Sequence, residues 1–335
     1  MAQATHDMLS EVLRNVRLRG AVFYDVRGGR SWSGRAPAAR DIAAAVMPGS
    51  EHVMEYHVVT RGEAWGAIVG EPAVRMGVGD IVVVPHGDPH VVASTPFAPP
   101  APADVAWHIA TANDPKPIPV ILTGAARISP VTEDDDAPTV VACGFLGCDL
   151  RPFNPLIGSL PRLLHIPAEG ARGWSVDAVR HAVRQSHERR PGSDVVLERL
   201  SEMMFVDAVR RYIDGLPDEA TGWLAGMRDD CVGAALALIH AQPGHAWTVD
   251  ALGAQVGLSR SAFHDRFTRL VGDAPMQYLA RWRMQVAATH LRDTDAPVLA
   301  VAQRVGYGSE SAFSRAFKRI VGSAPSDWRR AHGSD

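Results

Sequence analysis

His57, His90 and Cys143 are residue types that can hold Zn²⁺ or another transition metal, because imidazole nitrogen and thiolate sulfur are suitable donors for such ions. Two of them sit in β-like surroundings, His57 in HVMEYHVVT and His90 at the end of PHGDPH. Histidines hydrogen-bonded within a β fold are the plainer alternative. Cys143 and Cys148 invite redox chemistry, but five residues apart on one strand they point to opposite faces and do not pair with each other. A thiol switch would use Cys143 alone or linked between chains. Small buried hydrophobes are the bland alternative. The sequence contains three cysteines, an odd and sparse set that argues against a disulfide framework.

A second chemistry lies near the C-terminus, where the sequence repeats itself. VGLSRSAFHDRFTRLVGDAPMQY from Val256 matches VGYGSESAFSRAFKRIVGSAPSDW from Val305, a fixed-period similarity that marks a duplicated unit. Thr248 as an N-cap and Pro297 as a first-turn proline start short helices. Gly257 and Gly306 permit the tight turn of a helix-turn-helix. Phe263 with Phe267, and Phe313 with Phe317, lie four apart and form the buried face of the next helix. Gly272 and Gly322 suit a left-handed C-terminal cap, and Pro275 and Pro325 open the helices that follow.

The outer faces of these predicted recognition helices carry Arg260, Ser261, His264 and Asp265, then Glu310, Ser311, Ser314 and Arg315. Arg, Ser and His can donate to base edges. Arg269, Lys318 and Arg319 suit phosphate contacts that position the protein. Asp265 repels phosphate unless it accepts from a cytosine amino group. Between the units, PMQYLARWRMQVAATHLR reads as one helix with Met276, Leu279, Trp282 and Val286 on its buried face. If it spaces the two readers by one turn of DNA, ~34 Å, one chain can occupy two successive major grooves.

The rest of the chain must position these groups. Its 335 residues suit two domains. Hydrophobic residues make up 46% and charged residues 21%, with no apolar run approaching the ~20 residues of a membrane span. MAQATHDMLSEVLRNVRLRG has no secretory pattern, so a cytoplasmic, non-membrane protein is expected. From His240 to Asp335 there are 12 Arg and Lys against 8 Asp and Glu, a net of +4, leaving −7 for the first 239 residues. An acidic first part joined to a basic last part fits a sensor coupled to a DNA reader.

Residues from about 20 to 165 read as strands, among them HVMEYHVVT, GAIVG, VGDIVVVP, HVVAST, VAWHIAT, PVILTG and TVVACGFLG. Pro96, Pro99, Pro100 and Pro102 mark a loop. VDAVRHAVRQSHER and SDVVLERLSEMMFVDAVRRYI then show helical spacing. The second, with Val196, Leu200, Met203, Met204, Phe205, Val206 and Val209, must bury against its own domain or a partner chain. The stretch Asp214 to Gly222 marks a boundary.

Residues 228 to 331 resemble the AraC family of bacterial transcription regulators, most specifically through VAQRVGYGSESAFSRAFKRIVGSAPSDWRR. The resemblance implies promoter DNA and RNA polymerase as partners, usually in activation. VGDIVVVPHGDPHVV is similar in spacing to the second motif of cupins, small β-barrels, and Glu55 with Gly62 is similar to the end of the first. Inward-facing residues then converge, bringing Glu55, His57 and His90 to one pocket. Metal-binding cupins carry a His-x-His before that Glu, whereas this chain has GSEHVME with the single His52. The whole arrangement resembles the cupin-containing branch of AraC-type regulators, which implies an effector site including Glu55, His57, Trp65, His86 and His90, with Cys143 as a further candidate.

The expectation is therefore an α+β protein: a cupin-like sensing domain at 1–165, linker or dimerisation helices at 166–222, and a tandem helix-turn-helix domain at 223–335. It is expected to be a regulator answering a small-molecule, metal or oxidant signal, with a homodimer open. The competing reading is a cupin metalloenzyme with secondary DNA binding, which the missing His-x-His weighs against.

Overall fold

The computed structural model describes residues 7–97, 102–124, 126–128, 137–168 and 174–333. Pro99 and Pro100 of the proline-marked loop lie outside them. In chain order, α1 (Met8–Asn15) leads into β1 (Arg19–Ala36), α2 (Ala39–Val46), β2 (His52–Arg61), β3 (Ala64–Ile68), β4 (Val74–Met76), β5 (Ile81–Val84) and β6 (His90–Ala93). Then follow α3 (Val105–Ala110), β7 (Ile118–Gly124), β8 (Ala126–Ile128), β9 (Thr139–Cys148), β10 (Leu164–Ile166), α4 (Trp174–His187) and α5 (Ser193–Asp214). The last elements are α6 (Trp223–Arg228), α7 (Asp230–Ala241), α8 (Val249–Gln255), α9 (Arg260–Val271), α10 (Pro275–Asp293), α11 (Val298–Arg304), α12 (Glu310–Val321) and α13 (Pro325–His332).

The chain divides into two compact units. A barrel unit comprises Leu18–Asp149 and Leu160–Asp214, and a helical unit comprises Met1–Arg17, Leu150–Ser159 and Gly215–Asp335.

In the barrel unit the strands run in the order β10-β5-β2-β9-β1-β6-β3-β4, with β7 beside β1 and β8 beside β7. This nearly closed, mainly antiparallel sheet depends on β1 serving two halves. Residues Arg19–Gly28 pair with β9, and Ser33–Ala36 pair with β6. The register shifts between Gly28 and Trp32, where a Cβ on Gly28 would run into the Trp32 indole. Residues 53–60 of β2 are buried without alternation, because side chains of both faces are covered. On one face Tyr56 shares a 2.6 Å hydrogen bond with Ser201 of α5.

α5 buries Leu200, Met204, Phe205 and Val209 but leaves Val196 48% and Met203 56% exposed. The segment VAWHIAT, expected as a strand, is the helix α3. Asp104 caps it by accepting the Trp107 N–H at 2.8 Å, a local signal that outweighs the β propensity of its Val and Ile.

In the helical unit α10 packs against α9, α11, α12 and α13. Its buried face is broader than the spacing suggests. Tyr278, Leu279, Trp282, Gln285 and Ala288 are buried, whereas Met276 and Val286 are only half-buried, because one helix supplies core to both halves of the repeat. The Tyr278 hydroxyl accepts the Trp223 Nε1–H at 2.6 Å and lies 2.7 Å from His240 Nε2. The fully buried Phe263 and Phe267 rings are 5.6 Å apart, and those of Phe313 and Phe317 are 5.4 Å apart.

Candidate functional site

Glu55 and His57 point the same way because they lie two apart on β2. His90 opens β6. β2 pairs with β5 and β9, and β6 pairs with β1 and β3, so the two strands meet through the barrel interior rather than as neighbours. There His57 Nε2 lies 2.6 Å from His90 Nε2, and Glu55 Oε2 lies 3.6 Å from that same His90 nitrogen. His57 Nδ1 is 3.0 Å from Cys143 Sγ on β9, which stands opposite His57 in register. His90 Nδ1 is 3.0 Å from the Asp88 carbonyl, an acceptor only, so Nδ1–H donates and Nε2 keeps its lone pair.

Glu55, His57 and His90 are each 5% exposed or less. Burial pushes the Glu55 carboxyl up to about 8 and pulls His90 down to about 4, the Asp88 carbonyl only partly offsetting the latter. Burial and then the neighbouring His90 hold His57 well below the usual histidine value. Each of these shifts favours the uncharged form, so burial works against an ion pair between Glu55 and His90.

The cluster opens into a cavity of about 70 Å³ whose walls include Tyr24, Trp32, Trp107, His108, Phe145 and Cys143. Tyr24 Oη is 2.7 Å from His108 Nδ1. Of these wall residues only Cys143 is a candidate from the sequence. Trp107 and His108 fall in a segment whose residue types favour a strand, and the Asp104 cap three residues before Trp107 is the signal that points to the helix instead.

Two expected pocket residues lie elsewhere. Trp65 is half-buried on the face of β3 opposite the buried Ala64, Gly66 and Ile68, outside the cavity wall. His86 donates through Nε2 to the Leu160 carbonyl at 3.0 Å and lines a separate surface cavity with His52 and Asp88. Period-two alternation turns Trp65 away, and the turn before Gly87 does the same for His86. Among the described residues Cys143, Cys148 and Cys231 form no disulfide. Burial raises the Cys148 thiol further above its ordinary value, with Asp149 and Glu51 adding to it, which keeps it a neutral core residue.

The helical unit presents the other set. Arg260, Ser261, His264, Asp265 and Arg269 are exposed on α9, and Glu310, Ser311, Arg315, Lys318 and Arg319 are exposed on α12, with Ser314 half-buried. Ser259 and Ser309 cap these helices by accepting the N–H groups of Ala262 and Ala312, each at 3.3 Å. Gly272 and Gly322 close them in the left-handed conformation, φ 88° and 93°. Arg260 is drawn toward Asp250 at 3.1 Å, and His264 lies 3.4 Å from Asp265. Arg266 is committed to structure, donating to Asp229 through Nε at 3.0 Å and a terminal nitrogen at 2.7 Å.

A small β-barrel with a polar cluster inside it, followed by two capped helix-turn-helix units, defines a DNA-binding regulator with a cupin domain. Comparison with known families agrees: residues 7–214 match the model described as Cupin, and residues 252–331 match the one described as Helix-turn-helix domain. An AraC-like transcription regulator of Streptomyces antibioticus is 31% identical over 326 residues, 97% of this chain and 98% of the relative. The HTH-type transcriptional regulator AlkR of Acinetobacter baylyi is 34% identical over 185 residues, 54% of this chain and 60% of its own. The RCS-specific HTH-type transcriptional activator RclR of Escherichia coli is 30% identical over 208 residues, 61% of this chain and 72% of its own. The chain belongs to the AraC family of DNA-binding transcription regulators. Among the described residues, no helix is long and apolar enough to cross a membrane.

Proposed function

We propose that the barrel cavity receives a small signal and that its occupancy changes the affinity of the helical unit for promoter DNA, leading to activation through RNA polymerase. The observation carrying this reading is the convergence of Glu55, His57, His90 and Cys143 on a cavity in the same chain as two exposed recognition helices. A signal acts only through differential affinity for two arrangements of the protein. Strand β9, which carries Cys143, continues directly into Leu150–Ser159, a segment of the helical unit, so movement at the cavity wall has a covalent route outward. In this reading 1–165 senses, 166–222 links, and 223–335 binds DNA in the cytoplasm. Arg260, Ser261, His264, Asp265, Glu310, Ser311, Ser314 and Arg315 meet bases, Arg269, Lys318 and Arg319 meet phosphates, and the exposed Val196 and Met203 of α5 suit a second copy.

The test is binding of the purified chain to its own upstream DNA, with salt, metals, small oxidants and candidate effectors titrated. Nanomolar affinity that falls steeply with salt is expected. A chain with no sequence-preferring, salt-sensitive binding to any genomic fragment overturns the reading.

A further inference from the structure

We propose that Glu55, His57 and His90 bind one divalent first-row transition-metal ion inside the barrel, and that this ion is the signal. The last clause rests on the barrel being the sensor, while the ligand set stands on its own geometry.

One donor atom from each of the three lies within 4.8 Å of the other two. Around a single ion with bonds of about 2.0–2.2 Å, donor atoms stand about 3–4 Å apart, so small side-chain shifts that part the two Nε2 atoms, 2.6 Å apart, seat the ion. The local polar atoms fit such an ion. Among the described residues Glu55 Oε1 is buried without a hydrogen-bond partner, an arrangement that costs free energy unless a donor or a cation meets it. The lone pair of His90 Nε2 is aimed inward by the Nδ1–H bond to the Asp88 carbonyl, the outer contact that typically orients a metal-bound imidazole. His57 replaces what the first cupin-like segment lacks. Placed two residues after Glu55 rather than in a His-x-His before it, it reaches the same face of β2.

The 2.6 Å separation of the two Nε2 atoms accommodates one proton between them. Since His90 carries its proton on Nδ1, His57 Nε2–H donates, and His57 Nδ1 accepts from the Cys143 thiol. When an ion takes both Nε2 lone pairs, the His57 proton leaves Nε2 and a proton is carried on Nδ1 instead, donating to Cys143 Sγ. The thiol hydrogen then turns to the Val141 carbonyl, 3.9 Å away. Cys143 therefore orients His57 rather than ligating the ion, because its sulfur meets the ring nitrogen on the far side from Glu55 and His90. This replaces the expectation that Cys143 would be a ligand. Two imidazoles and one carboxylate exclude an all-oxygen Mg²⁺ or Ca²⁺ cage and favour Zn²⁺, Fe²⁺ or Co²⁺. The three side chains line a cavity of about 70 Å³, large enough to admit water beside them.

Chelator-stripped full-length chain is titrated with Zn²⁺ by calorimetry and with Co²⁺ by visible absorption, and DNA affinity is measured with and without the ion. The expected result is one ion per chain and a Co²⁺ ligand-field spectrum. Glu55→Gln and His57→Ala should each weaken binding at least about a hundredfold, and Cys143→Ser about ten- to a hundredfold with stoichiometry kept. Glu55→Gln keeps the side-chain shape, and the thermal midpoint of each variant shows whether it remains folded. Absence of stoichiometric binding, or equal affinity in wild type and a folded Glu55→Gln, overturns the site. An ion that binds one to one yet leaves DNA affinity unchanged keeps the site and overturns its role as the signal.

Discussion

The side-chain carbonyl of Gln285, in the helix joining the two halves of the repeat, accepts the backbone N–H of Phe153 at 2.9 Å. The same carboxamide donates to the Asn15 carbonyl at 3.1 Å, and Gln285 is 1% exposed. One buried side chain of α10 thus holds two segments that lie on either side of the barrel strands in sequence. Phe153 adds an edge-on contact to Tyr278 at 5.4 Å and lies 4.1 Å beneath the Arg281 guanidinium.

Gln285→Ala removes both bonds and strands the buried Phe153 N–H, while the Asn15 carbonyl keeps only the 3.5 Å contact from the Thr289 hydroxyl. The helical unit should lose about 1–3 kcal/mol, read by urea denaturation, and the Phe153 amide should exchange its hydrogen faster. Unchanged protection at Phe153 together with an unchanged midpoint would show that the clamp contributes nothing.

The two faces of the recognition helices should respond oppositely. Phe263→Ala or Phe313→Ala empties a fully buried site and should cost about 3–5 kcal/mol of stability. Arg315→Ala, on an exposed position, should leave stability within about 0.5 kcal/mol. If it reads a base, DNA affinity should fall by about 1–3 kcal/mol. Thermal melts paired with fluorescence anisotropy on labelled DNA separate the two effects.

The repeat-related turn glycines differ in what surrounds them. Gly257 has φ 71° and open space around an added Cβ, whereas Gly306 has φ 83° and a Cβ there would sit 2.6 Å from the Gly244 carbonyl. Gly257→Ala should cost about 1–2 kcal/mol for the left-handed backbone alone, and Gly306→Ala should cost more. Equal denaturation midpoints for the two variants would refute this.

Asp229 ties α7 to α9. It accepts the N–H groups of Cys231 and Val232 at 3.1 and 2.9 Å and pairs with Arg266. Burial alone would raise its carboxyl, but the Arg266 and backbone hydrogen bonds outweigh that and hold it below the usual aspartate value. A depressed folded value means that its contribution is complete above the unfolded aspartate value, near 4. That contribution is lost as pH falls through the folded value. Between pH 7 and 3 wild type should therefore lose more stability than Asp229→Asn, as calorimetric midpoints across that range would show.

The sequence by itself determined the repeated part of the helical unit almost entirely, but not that Met1–Arg17 and Leu150–Ser159 belong to the same unit. Its information is local and periodic: a threonine cap, glycine turns and stops and phenylalanines four apart act within about twenty residues, and the second copy confirms the first. Alternation on β2, equally local, put Glu55 and His57 on one face, whereas His90, on β6, a strand not paired with β2, joined them only through the resemblance to cupins. Only the tertiary structure decided the cavity walls and the links between distant segments. Trp107 and His108 reach the cavity from a short helix whose residue types favour a strand, and Trp65 and His86 are turned away by pairing and turn geometry. Gln285 appears in sequence as a polar residue on an apolar helix, since nothing within α10 reveals that the partners of its carboxamide are Asn15 and Phe153. Such contacts join residues more than a hundred positions apart, so their energies belong to the packed chain rather than to any segment of it.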